Sequence, residues 1–354
     1  MKGLILAAGW GTRLRPITSL RPKPTIQVAN KALIVHAVDN LKEAGIFEIG
    51  IVVNEQVKEH IQKAVAACQD VSFEYIIQNP PKGLAHAVQV SKDFLQDDNF
   101  VMYLGDNLFQ QGIKGFVEAF DPKTMNALLA LVEVPDPRAL GVAVVQGGQI
   151  VKLVEKPKVP PSNLAVSGVY VFDSTIFDMI DGLEPGAKGE YQITDAIQML
   201  IASGKNVGYK KVEGWWKDTG KAEDILDANR LLLLDIKKDI RGEIDNSLLI
   251  GEVVVGEGTI IKNSKIVGPV LIGENCFIED AYIGPYTTVA NEVSLNNSEL
   301  ESSVVGNGTE IKDVKIRLQD SLIGEDVTIS RRIVHPSTHR LVVGDNSLIT
   351  LQEN

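Results

Sequence analysis

Several features that define other protein classes are scarce in this sequence. It has only two cysteines, Cys68 and Cys276, far apart and without C-x-x-C spacing, which excludes a disulfide framework and a zinc knuckle. No apolar run approaches the ~20 residues of a membrane span. The apolar start, residues 3–8, is too short for the core of a signal peptide. The sequence therefore predicts a cytoplasmic protein in a reducing compartment, with no membrane partner.

Positive charge is also in short supply. The chain carries 35 Lys and Arg against 46 Asp and Glu, a formal net charge of −11. A net negative surface repels phosphate backbones and anionic lipids, so we expect no nucleic-acid polymer among its partners. Arg13, Arg15, Arg21 and Lys23 nevertheless lie close together in the sequence. This local cluster predicts a site for a small anionic substrate.

The length of 354 residues predicts two globular domains, and a change in sequence texture places them at residues 1–240 and 241–354. In the first, short apolar runs at 3–8, 49–53 and 100–104 are typical of buried strands. Amphipathic segments between and after these runs predict three helices, at residues 33–45, 83–95 and 227–238. Alternating strands and helices predict an α/β fold with a parallel sheet, which binds ligands at the carboxyl ends of its strands.

The second domain has a different texture. After residue 250 a branched residue followed by glycine recurs, and cutting before these glycines gives segments of 16–22 residues. A repeat of this length with regularly spaced apolar residues favours a β-solenoid, whose coils bury their inner faces on each other. An antiparallel β domain with glycine turns is the alternative.

A glycine-rich loop follows the first predicted strand. Gly9 and Gly11 let the backbone pass close to a ligand, and Arg13 supplies a cation for an anion. The loop is not a dinucleotide fingerprint, because Leu14 occupies the third glycine position, and it is not a Walker A loop. Lys23 lies beside prolines that stiffen its segment. Together these residues predict a phosphate site.

In these and further motifs the chain resembles a known family, the sugar-phosphate nucleotidyltransferases. The resemblance covers essentially the whole chain and is greatest to the long-form glucose-1-phosphate thymidylyltransferases, which add a C-terminal left-handed β-helix. Its motifs are Gly9-x-Gly11-Thr12-Arg13-Leu14-x-Pro16, Pro22-Lys23, and segments 78–87, 104–107, 155–158, 189–195 and 215–220.

The resemblance implies a Rossmann-like, mostly parallel α/β nucleotidyltransferase domain followed by a left-handed parallel β-helix. It also implies the reaction of dTTP with glucose 1-phosphate to give dTDP-glucose and pyrophosphate, with Mg²⁺ as cofactor. The implied residues are catalytic Arg13 and Lys23; nucleotide-binding Leu6, Ala8, Gly9, Gly11, Thr12, Gln78, Pro81 and Gly83; sugar-phosphate-binding Gly141, Glu155, Lys156, Val166, Tyr170 and Lys188; and metal-binding Asp106 and Asp218.

The chemistry supplies a reason for the implied metal ligands. Asp106 follows the third predicted strand, where an α/β sheet presents its site, and Asp218 lies in a Trp-rich loop. Mg²⁺ prefers carboxylate and phosphate oxygens, so two such acids suit a metal-bound triphosphate. A turn or helix-cap role is the alternative for either aspartate alone.

Several residues depart from the thymidylyltransferase pattern. Pro24 follows Lys23 where glutamine is usual, Gln27 and Ala32 replace prolines, Leu140 replaces an aromatic residue, and Trp10 occupies the glycine loop. The substrates therefore stay open between dTTP with glucose 1-phosphate and two alternatives. These are UTP with glucose or N-acetylglucosamine 1-phosphate, and GTP with mannose 1-phosphate.

Two other functions are less favoured by the residues. An acyltransferase in the solenoid needs a positioned base, and beyond residue 240 the histidines are His335 and His339, outside the regular repeats. A non-catalytic subunit would be expected to lack the phosphate and metal ligands, which are present. Because solenoid faces commonly stack on one another, we expect a homo-oligomer.

Overall fold

A computed structural model of the protein describes residues 1–186 and 189–331. In its α/β part the strands are β1 (Lys2–Leu6), β2 (Gln27–Val28), β3 (Lys31–Ala32), β4 (Glu48–Val53), β5 (Ser72–Ile77), β6 (Phe100–Leu104), β7 (Asn107–Phe109), β8 (Ala127–Glu133), β9 (Gly141–Gln146), β10 (Gln149–Glu155), β11 (Leu164–Phe172), β12 (Val207–Lys211) and β13 (Trp216–Asp218). The helices are α1 (Leu33–Glu43), α2 (Glu55–Val65), α3 (Leu84–Gln89), α4 (Lys92–Leu95), α5 (Lys114–Ala119), α6 (Thr175–Asp181), α7 (Ile193–Ala202) and α8 (Ala222–Leu233).

A nine-stranded sheet forms the centre of this part. Its main path runs β10-β9-β11-β6-β1-β4-β5, and β8 joins β11 to β12. Only β10 and β11 run against the other strands, so the predicted mostly parallel sheet is confirmed. Apolar clusters pack on both faces. The three predicted strands are β1, β4 and β6, and their carboxyl ends share one edge.

Two predicted helices differ from the structure. The helix predicted over 83–95 is interrupted between α3 and α4, where the buried Ser91 hydroxyl donates to Ala87 O (2.8 Å) and competes with helical bonding. The helix predicted over 227–238 is α8, which begins at Ala222 because the Asp224 carboxylate accepts from Lys221 N (2.8 Å) and caps the N-terminus. The helix predicted over 33–45 is confirmed as α1.

The rest of the described chain is a coil of short strands. They are β14 (Asp239–Ile240), β15 (Glu243–Asp245), β16 (Leu248–Ile250), β17 (Val253–Val255), β18 (Ile260–Lys262), β19 (Lys265–Val267), β20 (Val270–Ile272), β21 (Phe277–Glu279), β22 (Tyr282–Ile283), β23 (Thr287–Val289), β24 (Ser294–Asn296), β25 (Glu299–Glu301), β26 (Val304–Val305), β27 (Glu310–Lys312), β28 (Leu318–Gln319), β29 (Leu322–Ile323) and β30 (Thr328–Ser330). The predicted boundary after residue 240 falls directly after β14.

These strands form three parallel sheets around one apolar core, a left-handed β-helix-like fold. The predicted solenoid is confirmed, and the antiparallel alternative is wrong. Stacked positions recur mostly 17 residues apart, as for Asn246 and Asn263, and 16 or 18 apart in later coils. The predicted segments of up to 22 residues are too long because the glycines used as markers lie at different corners of the coil.

No helix within residues 1–186 and 189–331 is both long enough and apolar enough to cross a bilayer. Cys68 and Cys276 are both free thiols, and Cys276 is buried.

Candidate active site

A cleft of about 530 Å³ opens at the shared carboxyl edge of β1, β4 and β6. It brings together predicted residues from distant parts of the sequence, among them the glycine loop, Gln78 and Asp106. The predicted residues that line it are Leu6, Ala8, Gly9, Gly11, Arg13, Lys23, Gln78, Pro81, Gly83 and Asp106. Thr12 lies in the same loop but on its exposed side.

The glycine loop is folded tightly around Lys23. Gly11 has a φ of +83°, and a Cβ at this position would lie 2.5 Å from Lys23 Cβ. Lys23 N donates to Trp10 O (3.0 Å), and the Thr18 hydroxyl donates to Gly11 O (2.7 Å). Only glycine satisfies both the positive φ and the close approach, so Gly11 allows the lysine backbone to lie against the loop.

Lys23 joins two carboxylates, and we call Lys23, Asp106 and Asp218 the Lys23 cluster. Lys23 Nζ lies 2.5 Å from Asp106 Oδ2 and 3.5 Å from Asp218 Oδ1. The lysine side chain is only 10% exposed, whereas both acids remain partly open to solvent. The Asp106 carboxylate also accepts from Asn107 Nδ2 (2.8 Å), which fixes its orientation.

A short antiparallel ribbon brings the two acids together. Asp218 is the last residue of β13 and pairs with Asn107 of β7, directly after Asp106. The Trp216 indole donates to Asn107 Oδ1 (2.7 Å), and the Thr219 hydroxyl donates to Asp106 O (2.8 Å). Asp218 therefore lies in a strand, not in the predicted loop. Its position is fixed by backbone pairing.

The Lys23 cluster is short of positive charge. Burial raises the pKa of the Asp218 carboxyl, and the neighbouring Asp106 carboxylate raises it further despite Lys23. No group of three or more His, Cys, Asp or Glu side chains in the described part of the chain is arranged to hold a metal by itself. Two partly exposed carboxylates fit Mg²⁺ when substrate phosphates supply further ligands, the way this ion is usually bound.

Gln78 forms the other wall of the cleft and is almost fully buried. Its Nε2 donates to Gly83 O (3.0 Å) and lies 3.1 Å from His86 Nδ1. Burial, and then the charge of Lys82, lower the pKa of His86, which favours a neutral ring that can accept. Since both amide hydrogens have partners inside the protein, the amide oxygen is the group that can accept from a ligand.

A second group of predicted residues surrounds Glu155. We call Glu155, Lys156 and Thr194 the Glu155 cluster. The Thr194 hydroxyl donates to Glu155 Oε2 (3.1 Å), and Lys156 Nζ lies 2.9 Å from Glu155 Oε1. A Cβ on Gly141 would lie 2.8 Å from Thr194 Cγ2 and 3.5 Å from Glu155 Oε2. The backbone at Gly141 therefore packs directly on this acid.

Strand β11 connects the two clusters. Val166 packs near Gly141, and a Cβ on Gly168 would lie 2.8 Å from Asn107 Oδ1, beside Asp106. Val166 and Tyr170 are buried in the strand core, where Tyr170 stacks on Phe172. Burial, and then the charge of Glu155, raise the pKa of the Tyr170 hydroxyl.

Lys188, a predicted sugar-phosphate ligand, lies outside the described residues.

The basic residue Arg21 was expected beside the anion site, but it does not line the cleft. Its guanidinium pairs instead with Glu325 of the β-helix.

Several residues that shape the site have no role predicted from the sequence. Asn54 lines the cleft, donates to Ala8 O (2.8 Å) and caps α2 by accepting from Val57 N (3.0 Å). It follows a buried strand as Asp106 does, so the same signal could have found it. Thr194 lies within the motif at residues 189–195. Pro24 also lines the cleft.

Comparison with known proteins agrees with this geometry. The family model described as nucleotidyl transferase matches residues 2–234. The low-salt glycan biosynthesis nucleotidyltransferase Agl11 of Haloferax volcanii is 47% identical, over 99% of this chain and 100% of that protein. The glucose-1-phosphate thymidylyltransferase of Streptomyces antibioticus is 42% identical, with the same two coverages. A Bacillus anthracis crystal structure, assigned as a glucose-1-phosphate thymidylyltransferase in complex with a sucrose, has a TM-score of 0.62 and 37% identity, covering 68% of this chain and 97% of its own. The chain therefore belongs to the nucleotidyl transferase family.

Proposed function

We propose that this sugar-phosphate nucleotidyltransferase makes dTDP-glucose and pyrophosphate from dTTP and glucose 1-phosphate. A phosphate oxygen of the sugar forms a bond to the α-phosphorus of dTTP, while the bond from that phosphorus to the bridging oxygen breaks and pyrophosphate leaves. The main observation behind the proposal is a buried lysine that lines a glycine-rich cleft and contacts two carboxylates. The thymidylyltransferase relatives support the choice of nucleotide.

Arg13 and Lys23 would act on the phosphates. Both line the cleft, and the reaction moves negative charge onto the departing pyrophosphate. Fixed cations that are held in place before the reaction stabilise such charge without reorganising. The sugar phosphate is itself the nucleophile, so these residues need only position the reactants and stabilise charge.

Asp106 and Asp218 would hold Mg²⁺ together with the triphosphate oxygens. When bound, the ion would screen the phosphate charges and orient the α-phosphorus. The two carboxylates and the raised pKa of Asp218 support this assignment, because a second cation relieves their repulsion. Turnover should therefore stop in EDTA and return with Mg²⁺.

Gln78 would read the base through its amide oxygen. The N3–H of thymine or uracil donates a hydrogen bond, and an oxygen whose own amide nitrogen is already engaged is a fixed acceptor for it. At the other end, Glu155 would accept from sugar hydroxyls, and Lys156 would contact the sugar phosphate. The exposed ammonium of Lys156 suits a group that meets a mobile ligand.

The proposal is tested by measuring pyrophosphate release with dTTP, UTP, GTP, ATP and CTP against several sugar 1-phosphates. The highest kcat/KM is expected for dTTP with glucose 1-phosphate, with the nucleotide sugar identified by mass. The Asp106→Asn variant is the control for a contaminating activity. Reaction only of GTP with mannose 1-phosphate would show that the thymidylyl assignment is wrong, while the reaction class would stand.

One observation favours a second nucleotide choice. Pro24 lines the cleft at the position where the thymidylyltransferases usually carry glutamine, so the amide expected of a dTTP-specific site is missing there. UTP with glucose or N-acetylglucosamine 1-phosphate is therefore the alternative, followed by GTP with mannose 1-phosphate. The same substrate screen decides between them.

We also propose that the chain forms a homo-oligomer through its β-helix. Leu248, Ile250 and Phe277 expose apolar surface there. Light scattering of the intact protein measures the mass in solution, and a monomer at micromolar concentration would contradict this assignment.

A further inference from the structure

The segment that carries Lys23 is held by the β-helix at both of its ends. We call residues 21–30 the lysine segment. It lines the cleft through Lys23 and Pro24, and on its other side it faces coils of the β-helix. We call the boundary between the α/β part and the β-helix the seam. Contacts across it occur at Arg21 and at Ala29 and Asn30, on either side of Lys23.

At the first end an ion pair joins the two parts of the chain. The two terminal nitrogens of Arg21 meet the two carboxylate oxygens of Glu325 in a fork-to-fork arrangement. The side chains are 26% and 24% exposed, less than a typical surface pair. Paired contacts of this kind restrict orientation as well as distance. The β-helix thus fixes a residue two positions before Lys23.

At the second end a buried asparagine connects three elements. Asn229 of α8 is 1% exposed. Its Oδ1 accepts from Ala29 N (3.0 Å) and from the Thr288 hydroxyl (2.7 Å), and its Nδ2 donates to Tyr286 O (3.1 Å). Asn30 Nδ2 adds a direct bond to Val289 O (2.8 Å).

The backbone at this end is held in a conformation that its sequence disfavours. Ala29 and Asn30 form the two-residue turn between β2 and β3, with φ of 50° and 58°. Such a turn prefers glycine or asparagine, and an alanine there persists only where its surroundings determine it. Asn229 and the β-helix supply those surroundings. The turn is therefore shaped by the contact across the seam.

A small apolar cluster continues the contact beneath the segment. It includes Leu14, beside Arg13, and Ile26, beside the turn that holds Lys23, and Leu322 of the β-helix packs against it. The segments that carry Arg13 and Lys23 therefore pack on an apolar cluster to which the β-helix contributes Leu322.

We propose that the β-helix positions Lys23 for the reaction by holding it against Asp106 and Asp218. Glu325 holds one end of the lysine segment, and Asn229 with its β-helix partners Tyr286 and Thr288 holds the other. This inference rests on the proposed function for its kinetic consequence. Arg21, Asn229 and Glu325 are positioning residues, since they act through Lys23.

A second ion pair across the seam provides a matched control. Arg230 of α8 pairs with Asp320 of the β-helix, and neither side chain has a hydrogen bond or ion pair to the lysine segment. The test compares Glu325→Arg with Asp320→Arg in the full chain, because both variants reverse one charge on the β-helix opposite an arginine. Melting temperature is recorded for each, so that loss of stability is separated from loss of position. Glu325→Gln serves as a milder variant.

Glu325→Arg is expected to lower kcat about tenfold, because small displacements of a positioned group are costly. Asp320→Arg should leave kcat within a factor of two of wild type at a similar melting temperature. Adding Arg21→Glu to Glu325→Arg restores the opposite charges and should recover most of the lost kcat. Equal loss of kcat in the two single variants, or no recovery in the double variant, would overturn the proposal.

Amide hydrogen exchange makes the test independent of turnover. Exchange across residues 21–30 should be faster in Glu325→Arg than in Asp320→Arg. If the wild type released no pyrophosphate with any substrate pair, the proposed function would fail, while the exchange comparison would still decide the positioning. Equal exchange in the two variants would overturn it.

Discussion

The two lysine–carboxylate groups of the catalytic part have similar chemistry but different environments. Lys23 lies 2.5 Å from Asp106, and Lys156 lies 2.9 Å from Glu155. The Lys23 side chain is 10% exposed, however, and the Lys156 side chain is 58% exposed. An exposed pair is screened by water and exchanges partners readily, whereas a buried cation stays where the fold places it.

This difference separates two tasks. The Lys23 cluster is formed before substrate binds, through the β7–β13 ribbon and the glycine loop, as its proposed role in stabilising charge requires. In the Glu155 cluster the acid is held by Thr194, while its lysine is free to move toward a ligand. We therefore expect changes at the first cluster to lower kcat and changes at the second to raise KM for the sugar phosphate.

The largest expected difference is between the two acids. Asp106→Asn should lower pyrophosphate release on the order of a thousandfold, because it removes a proposed metal ligand and a partner of Lys23. Glu155→Gln should raise KM for the sugar 1-phosphate about tenfold through loss of a charge-assisted acceptor. Steady-state kinetics with each substrate varied measures both. Similar kcat losses in the two variants would contradict the division of tasks.

The two lysines should differ in the same direction. Lys23→Met is expected to lower kcat about a hundredfold, the usual effect of deleting one preorganised charge contact. Lys156→Met should raise KM for the sugar 1-phosphate about tenfold and change kcat much less. Titration with the nucleotide alone provides the check, since only the Lys23 variant should weaken its binding.

Substituting the glycine beside each cluster should have a smaller effect on the kinetics, and the two effects can be compared directly. Gly11→Ala forces a Cβ to within 2.5 Å of Lys23 Cβ at a φ of +83°, so we expect kcat to fall about tenfold through displacement of the lysine. Gly141→Ala meets Thr194 Cγ2 at 2.8 Å and should raise KM for the sugar phosphate only a few-fold. An unchanged kcat in Gly11→Ala would show that the loop can accommodate the side chain.

The smallest expected effect is on stability. Because burial and Asp106 raise the pKa of Asp218 in the folded protein, ionisation there opposes folding at neutral pH. Asp218→Asn should stabilise the metal-free protein by no more than about 1 kcal/mol, since solvent screens this partly exposed group. Melting temperatures in EDTA measure the gain. It should shrink as the pH falls through the raised pKa, because Asp218 then becomes neutral as well. Glu155→Gln should show no such gain.

The sequence predicted the strands and the solenoid well because both depend on local patterns. The runs at 49–53 and 100–104 are buried on both faces, and the branched-residue repeats form one continuous core. The interruption at Ser91 was not predictable, because it depends on a single buried hydroxyl. Helix α8 begins at Ala222 because the Asp224 side chain caps it, and the spacing of apolar residues gives no sign of such a cap.

The sequence indicated the cations and acids of the candidate site but not the residues that hold them in place. Arg13, Lys23 and Asp106 belong to segments that leave strand ends or glycine turns, where chemistry is expected. Asn229 and Glu325 act across the seam between the two parts of the chain, and no local pattern indicates such partners. Arg21 was grouped with the cleft by sequence proximity, whereas its contact is set by the tertiary fold.

The β7–β13 ribbon also bears on how the protein folds. Thr219 and Asp106 hydrogen-bond although 113 residues separate them, so the two carboxylates meet only after a long loop has closed. Contacts of such sequence separation form late, since the chain must lose much entropy before gaining them. During refolding, recovery of turnover should therefore lag behind recovery of helical signal. Catalytic activity then reports that the whole α/β part is complete, and a chain cut between the two acids would regain it only when both fragments reassemble.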